Sequence, residues 1–251
     1  MLAALADISL YQLALVAAVA LTASVLGGVA GYGTGALMPL VLVPIVGPEP
    51  TVPIIAMAGL LTNTSRATAF RQNIDWRRMM LVLAGATGPC AFTAYGYTLL
   101  TGKGAMLVIG GMLMLTVPLR YLMKLRAVAL GDRGLVAGGV GYGTAVGGTV
   151  GAGVILLSVL MASGLEGAAV IATDAVVSIA IGIVRLAVFG AAGAVNAQVI
   201  ALALLIGLVA FPGAFLAKAF VARLPLHVHT AILDAVVLIG GAVMIFGAFR
   251  R

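Results

Sequence analysis

Charge is scarce in this chain. Of its 251 residues only 8% are charged, and Asp and Glu together number 7. A soluble globular domain carries roughly a quarter of its residues as charges, so no soluble domain large enough for separate catalysis is readable. Cysteine is limited to Cys90, which rules out an internal disulfide. Histidine is limited to His227 and His229, which have no acidic or cysteine company. Residues two apart on a helix point in different directions, so an interfacial loop accounts for them, and neither a metal nor a cofactor is expected. Lys and Arg number 14, giving a net charge of +7. They sit at the ends of apolar segments, as membrane anchors do. They form no continuous patch interleaved with aromatics, which excludes a nucleic-acid partner.

Apolar sequence is what remains: 63% of the residues are hydrophobic, and the mean hydropathy is +1.24. The partner implied is the lipid bilayer. Each crossing needs roughly 20 apolar residues. The apolar segments run over 8–26, 34–46, 52–70, 77–100 and 104–123, then 134–146, 150–163, 167–189, 197–222 and 228–249. The N-terminus lacks the basic region and cleavage site of a signal peptide, so 8–26 is expected to be a retained segment. The fold class is therefore all-α, a polytopic membrane protein. Segments 34–46, 134–146 and 150–163 are too short to span and suit half-helices or re-entrant hairpins, which are tolerated where protein or a water-filled cavity covers them.

The short segments flank two matching glycine clusters. Gly27, Gly28, Gly31 and Gly33 recur at the same spacing as Gly147, Gly148, Gly151 and Gly153. The match continues in order. Gly-Pro-Glu49-Pro answers Gly-Leu-Glu166-Gly, and Arg66 through Phe70 answers Arg185 through Phe189. Asn73 with Pro89 and Phe92 answers Asn196 with Pro212 and Phe215, and Gly110-Gly111 answers Gly240-Gly241. These matches divide the chain into two transmembrane repeats, 1–126 and 127–251. The loop around Arg71, Arg77 and Arg78 is strongly basic and is placed in the cytoplasm, whereas its counterpart 190–196 is uncharged. The turn at Lys103 is weakly basic, and its counterpart with Lys218 and Arg223 is richer. This swap of sign predicts inverted repeats. Parallel repeats with one discontinuous helix per half are the rival arrangement.

A glycine cluster ahead of a helix exposes unpaired N–H groups, whose dipole favours an anion. Gly28, Gly31, Gly33, Gly148, Gly151 and Gly153 are therefore candidate anion-binding residues, with Thr34 and Thr149 as added hydroxyl donors. Their alternative role is close helix packing. Asn63 lies in the polar run Thr62-Asn63-Thr64-Ser65-Arg66 and can bind a ligand or bond across helices. Arg66 and Arg185 can snorkel to an interface or clamp an oxyanion. Thr173 and Asp174 lie inside an apolar segment, where an ionisable group is functional by default. Asp174 is read either as a protonatable site coupled to transport or as a structural partner of Arg185. Asp234 is read as interfacial, and Asn73-Ile-Asp75-Trp76-Arg77 as a membrane-surface anchor.

The order of a glycine-rich break, a half-helix with Pro39 and Pro44, a turn, a Thr/Ser-bearing segment and Asn73-Ile-Asp75-Trp76-Arg77, closed by a second glycine-rich copy, resembles the TauE/SafE permeases over essentially the full chain. That resemblance implies ATP-independent transport of small sulfur-containing anions, such as sulfite or organosulfonates, across the bacterial inner membrane. The chain departs from the family where a Thr-Ser pair is common: it has Thr173-Asp174 in one half and Ala56-Met57 in the other. A carboxylate replacing a hydroxyl in that place either changes the substrate from the family's usual one or adds a proton site. The competing classes are an anion channel on the same repeats, a scaffold, and an enzyme. No catalytic set, metal-ligand cluster or nucleotide fingerprint supports the enzyme. The sequence leaves the oligomeric state open.

If the repeats are inverted, cysteine accessibility should place residue 75 in the cytoplasm and residue 194 outside. Labelling of both from one side would establish parallel repeats.

Overall fold

Backbone polar groups in lipid must be satisfied within the segment that carries them, and a helix does so. The computed structural model describes residue 5 and residues 8–30, 34–125, 129–220 and 226–250, which form helices and no strands. The first half contains α1 (Leu10–Ala30), α2 (Thr34–Val46), α3 (Pro48–Ala69), α4 (Trp76–Thr98) and α5 (Gly102–Leu125). The second contains α6 (Asp132–Gly147), α7 (Gly153–Ala162), α8 (Ala168–Ala191), α9 (Ala197–Ala210), α10 (Gly213–Phe220) and α11 (Leu226–Arg250). Four stretches are long and apolar enough to cross a membrane: Trp76–Thr98, Gly102–Leu119, Ala168–Ala191 and Ala197–Ala217. The protein is an all-α polytopic membrane protein, with α2 and α7 as short apolar helices.

Local signals set the boundaries. Gly47 takes φ 90° and Pro48 starts α3, while Gly167 takes φ 53° ahead of α8. Both turns need backbone that side-chain-bearing residues rarely adopt. Asp75 caps α4 by accepting from the Arg78 backbone N–H at 2.9 Å, and Asn196 caps α9 by accepting from Val199 N–H at 2.9 Å. That backbone bond, more than the facing Arg78 side chain, holds the Asp75 carboxyl below its ordinary pKa. Arg78 also donates to Ser163 O at 2.8 Å. Trp76 is exposed, and Arg77 forms an exposed pair with Asp132 at 2.6 Å.

Two boundaries differ from the sequence reading. Segment 197–222 is two helices, parted at Phe211-Pro212. Pro212 cannot continue the ladder, and Gly213 after it weakens the helix further. The buried serines Ser24 and Ser65 donate to the carbonyls of Ala210 and Phe211 at this break. Pro89, at the matching place, stays within α4. His227 and His229 belong to the first turn of α11 rather than to a loop. The two imidazoles lie outside the described side chains. Asp234 is buried within the protein, on the helix that packs along α5.

Glycines decide the packing. Gly139, Gly143 and Gly147 recur every fourth residue on α6, and a Cβ at each would collide with Val82 O, Ala86 O and Cys90 O of α4. The pairs 82–139, 86–143 and 90–147 keep one register, so α4 and α6 run parallel. Apolar side chains gain little by leaving lipid for one another, so this backbone approach supplies the contact. Helices α3 and α8 cross antiparallel: Ala56 and Leu60 meet Gly182, while Arg66 meets Asp174. Helices α5 and α11 do the same, with Gly110 against Gly241 and Met106 against Gly247.

Gly143→Leu should destabilise the protein in detergent by at least about 2 kcal/mol through overpacking. Gly141→Leu on the same helix has open space and should leave the melting temperature nearly unchanged. Equal effects would remove the α4–α6 seam as the cause.

Candidate functional site

The start of α2 meets the second break. A Cβ on Gly35, in the first turn of α2, would lie 3.2 Å from Gly151 N in the second break. Gly151 has φ 83°, a left-handed backbone suited to glycine. Around this meeting point lies a cavity of about 130 Å³. Its wall draws on α1 and α2 (Ser24, Thr34, Gly35), the second break (Thr149 to Gly153), α3 (Asn63, Arg66) and α8 (Asp174, Ser178, Arg185). The starts of both α2 and α7 therefore face the same space, each a place that favours negative charge.

Two guanidinium groups line it in different states. Arg66 Nη2 lies 2.9 Å from Asp174 Oδ2 and also donates to Asn63 Oδ1. Asp174 is buried, and its Oδ1 has no hydrogen-bond partner. Arg185 is 6% exposed and donates from Nη2 to Thr149 O at 3.0 Å. Its guanidinium lies over the Phe189 ring, 5.8 Å from the centroid. Its Nε has no hydrogen-bond partner, and none of the ion pairs among the described residues includes it. A buried guanidinium with donor capacity to spare is chemically an oxyanion receptor.

The pairing differs from the expectation that Asp174 would meet Arg185. Eleven residues along one helix span about 16 Å, too far for contact, whereas the antiparallel crossing brings Arg66 of α3 to Asp174. Both arginines reach the cavity. Thr34, Asn63, Thr149, Gly151 and Gly153 reach it as well. Thr149 contributes its carbonyl, because its hydroxyl turns back to donate to Ala145 O.

Two candidates lie elsewhere. A Cβ on Gly148 would meet Thr93 O and the Tyr97 side chain, so Gly148 belongs to the α4 seam. Thr173 Oγ1 accepts from Asp75 N at 3.0 Å and fastens α8 to the start of α4. Gly31 and Gly33 lie outside the described residues, and Gly28 is described only as part of α1.

Sequence reading did not single out Tyr142 or Ser178 as binding residues, yet both line the cavity. A signal for Tyr142 was present: Gly-Tyr-Gly-Thr occurs at 31–34 and again at 141–144. Ser178 is one helical turn beyond Asp174 and shares its face.

Gly151→Ala should cost about 1–2 kcal/mol of stability from its left-handed backbone alone, measured by thermal unfolding in detergent. An unchanged melting temperature would mean that the break relaxes without strain.

No curated protein and no solved structure matches the chain. The family model described as sulfite exporter TauE/SafE matches residues 16–244. The match covers both helix breaks, both arginines and the helices between them, and the chain belongs to the TauE/SafE sulfite exporter family.

Proposed function

We propose that the protein is a secondary transporter of small sulfur-containing anions such as sulfite or organosulfonates, driven by an ion gradient across the bacterial inner membrane. The observation that carries this reading is Arg185: buried, stacked on Phe189, outside any ion pair among the described residues, with Nε unpartnered beside the cavity. A buried cation without a carboxylate is costly unless an anion visits it. The α2 and α7 starts add backbone N–H groups at the same place, and Thr34, Asn63, Gly151 and Gly153 complete the proposed wall. Asp174 is the proposed coupling group, since a carboxylate can exchange charge with a proton.

The antiparallel crossings of α3 with α8 and of α5 with α11 support inverted repeats, because matching helices of the two halves then run in opposite directions. In that arrangement 1–126 and 127–251 move against each other around the cavity. Family membership favours a carrier over a channel.

Purified protein should be stabilised against heat by at least one of sulfite, thiosulfate, sulfate, sulfoacetate or taurine, and less by carboxylate analogues. Arg185→Gln should abolish both that stabilisation and uptake into proteoliposomes. Stabilisation by none of these anions, or an Arg185→Gln variant that still transports, would refute the reading.

A further inference from the structure

The cavity holds three formal charges: the guanidinium groups of Arg66 and Arg185 and the carboxylate of Asp174. Arg66 and Asp174 neutralise each other at 2.9 Å, which leaves one positive charge uncompensated. Tyr142, Ser178, Asn63 and Thr34 add polarity without charge. In a water-poor site, charge balance between ligand and wall dominates affinity, since each unmatched charge must be desolvated.

We propose that the Arg66–Asp174 pair is a charge-selectivity element that restricts the cavity to monovalent oxyanions, with Arg185 as the group that receives them. The proposal rests on the anion-transport reading above and deepens it. While it is ionised, Asp174 occupies Arg66 as an internal anion and leaves room for one external negative charge. A divalent oxyanion would bring an excess negative charge into a site whose remaining carboxylate repels it. Asn63 holds Arg66 from the same helix, so the pair is set before any anion arrives. The cavity volume of about 130 Å³ agrees with a small headgroup.

The test uses two probes whose charge does not change near about pH 8: methanesulfonate, with one negative charge, and sulfate, with two. Binding to the purified, detergent-solubilised protein is measured at matched ionic strength by calorimetry. The wild type should prefer methanesulfonate by about tenfold or more. Asp174→Asn adds a net positive charge, and the preference should fall by about tenfold. Arg66→Gln removes a positive charge and should weaken both anions. The double variant Arg66→Gln/Asp174→Asn restores the wild-type balance, and its preference should return to the wild-type side. It strands neither member of the Arg66–Asp174 pair without its counter-charge, so a loss of its preference overturns the proposal even where Asp174→Asn does not fold. A wild type that prefers sulfate, or a double variant without preference for methanesulfonate, would overturn the proposal. If both probes bind and only their ratio fails to follow charge, anion transport stands and charge selection falls. If neither probe binds the wild type, both fall together.

Discussion

The antiparallel crossing of α3 and α8, closed by the Arg66–Asp174 ion pair, is the constraint on which the site depends. A charge placed singly in an apolar helix costs about 2.5–3.5 kcal/mol on insertion scales. Two such charges become tolerable when the helices bring them within 2.9 Å of each other. That crossing also sets the rotation of α8, so Ser178 and Arg185 share the cavity with Asp174. The result is a polar centre with one cation satisfied from within and another, Arg185, that retains donor capacity.

The glycines divide their labour along the second cluster. Gly147 and Gly148 finish a packing seam that begins at Gly139, where α6 lies against the backbone of α4. Gly151 and Gly153 line the cavity, and Gly151 turns the chain toward Gly35. One short stretch thus serves both helix packing and the break. Similar thrift is seen at the α9–α10 break, where serines from α1 and α3 donate to the carbonyls of Ala210 and Phe211 beside Pro212. A broken helix in lipid survives only when neighbouring protein meets its exposed backbone, and these bonds place that cover.

The Asp75 region shows how a surface-anchor reading can be incomplete. Trp76 and Arg77 are exposed, as anchors at a membrane surface are. Asp75 and Arg78 beside them cap α4, receive Thr173 of α8 and reach Ser163 after α7. The loop is therefore a brace between α4 and the α7–α8 region. Its residues position the site without entering it.

The sequence by itself determined the medium, the helical class and most helix limits, because segment length, hydropathy, turn glycines and caps are local properties. Thr34, Asn63, Arg66, Gly151, Asp174 and Arg185 were legible as candidates because polar groups and glycines stand out against apolar helices. What the tertiary structure alone decided was partnership. Whether Asp174 meets Arg66 or Arg185, whether Gly148 faces a cavity or α4, and whether Thr173 binds or braces all depend on helix rotation and direction. Those are fixed by contacts between residues far apart in the chain, such as Gly143 with Ala86 and Gly182 with Leu60. A local pattern names the groups available, but only helix packing determines which of them is left with a free donor.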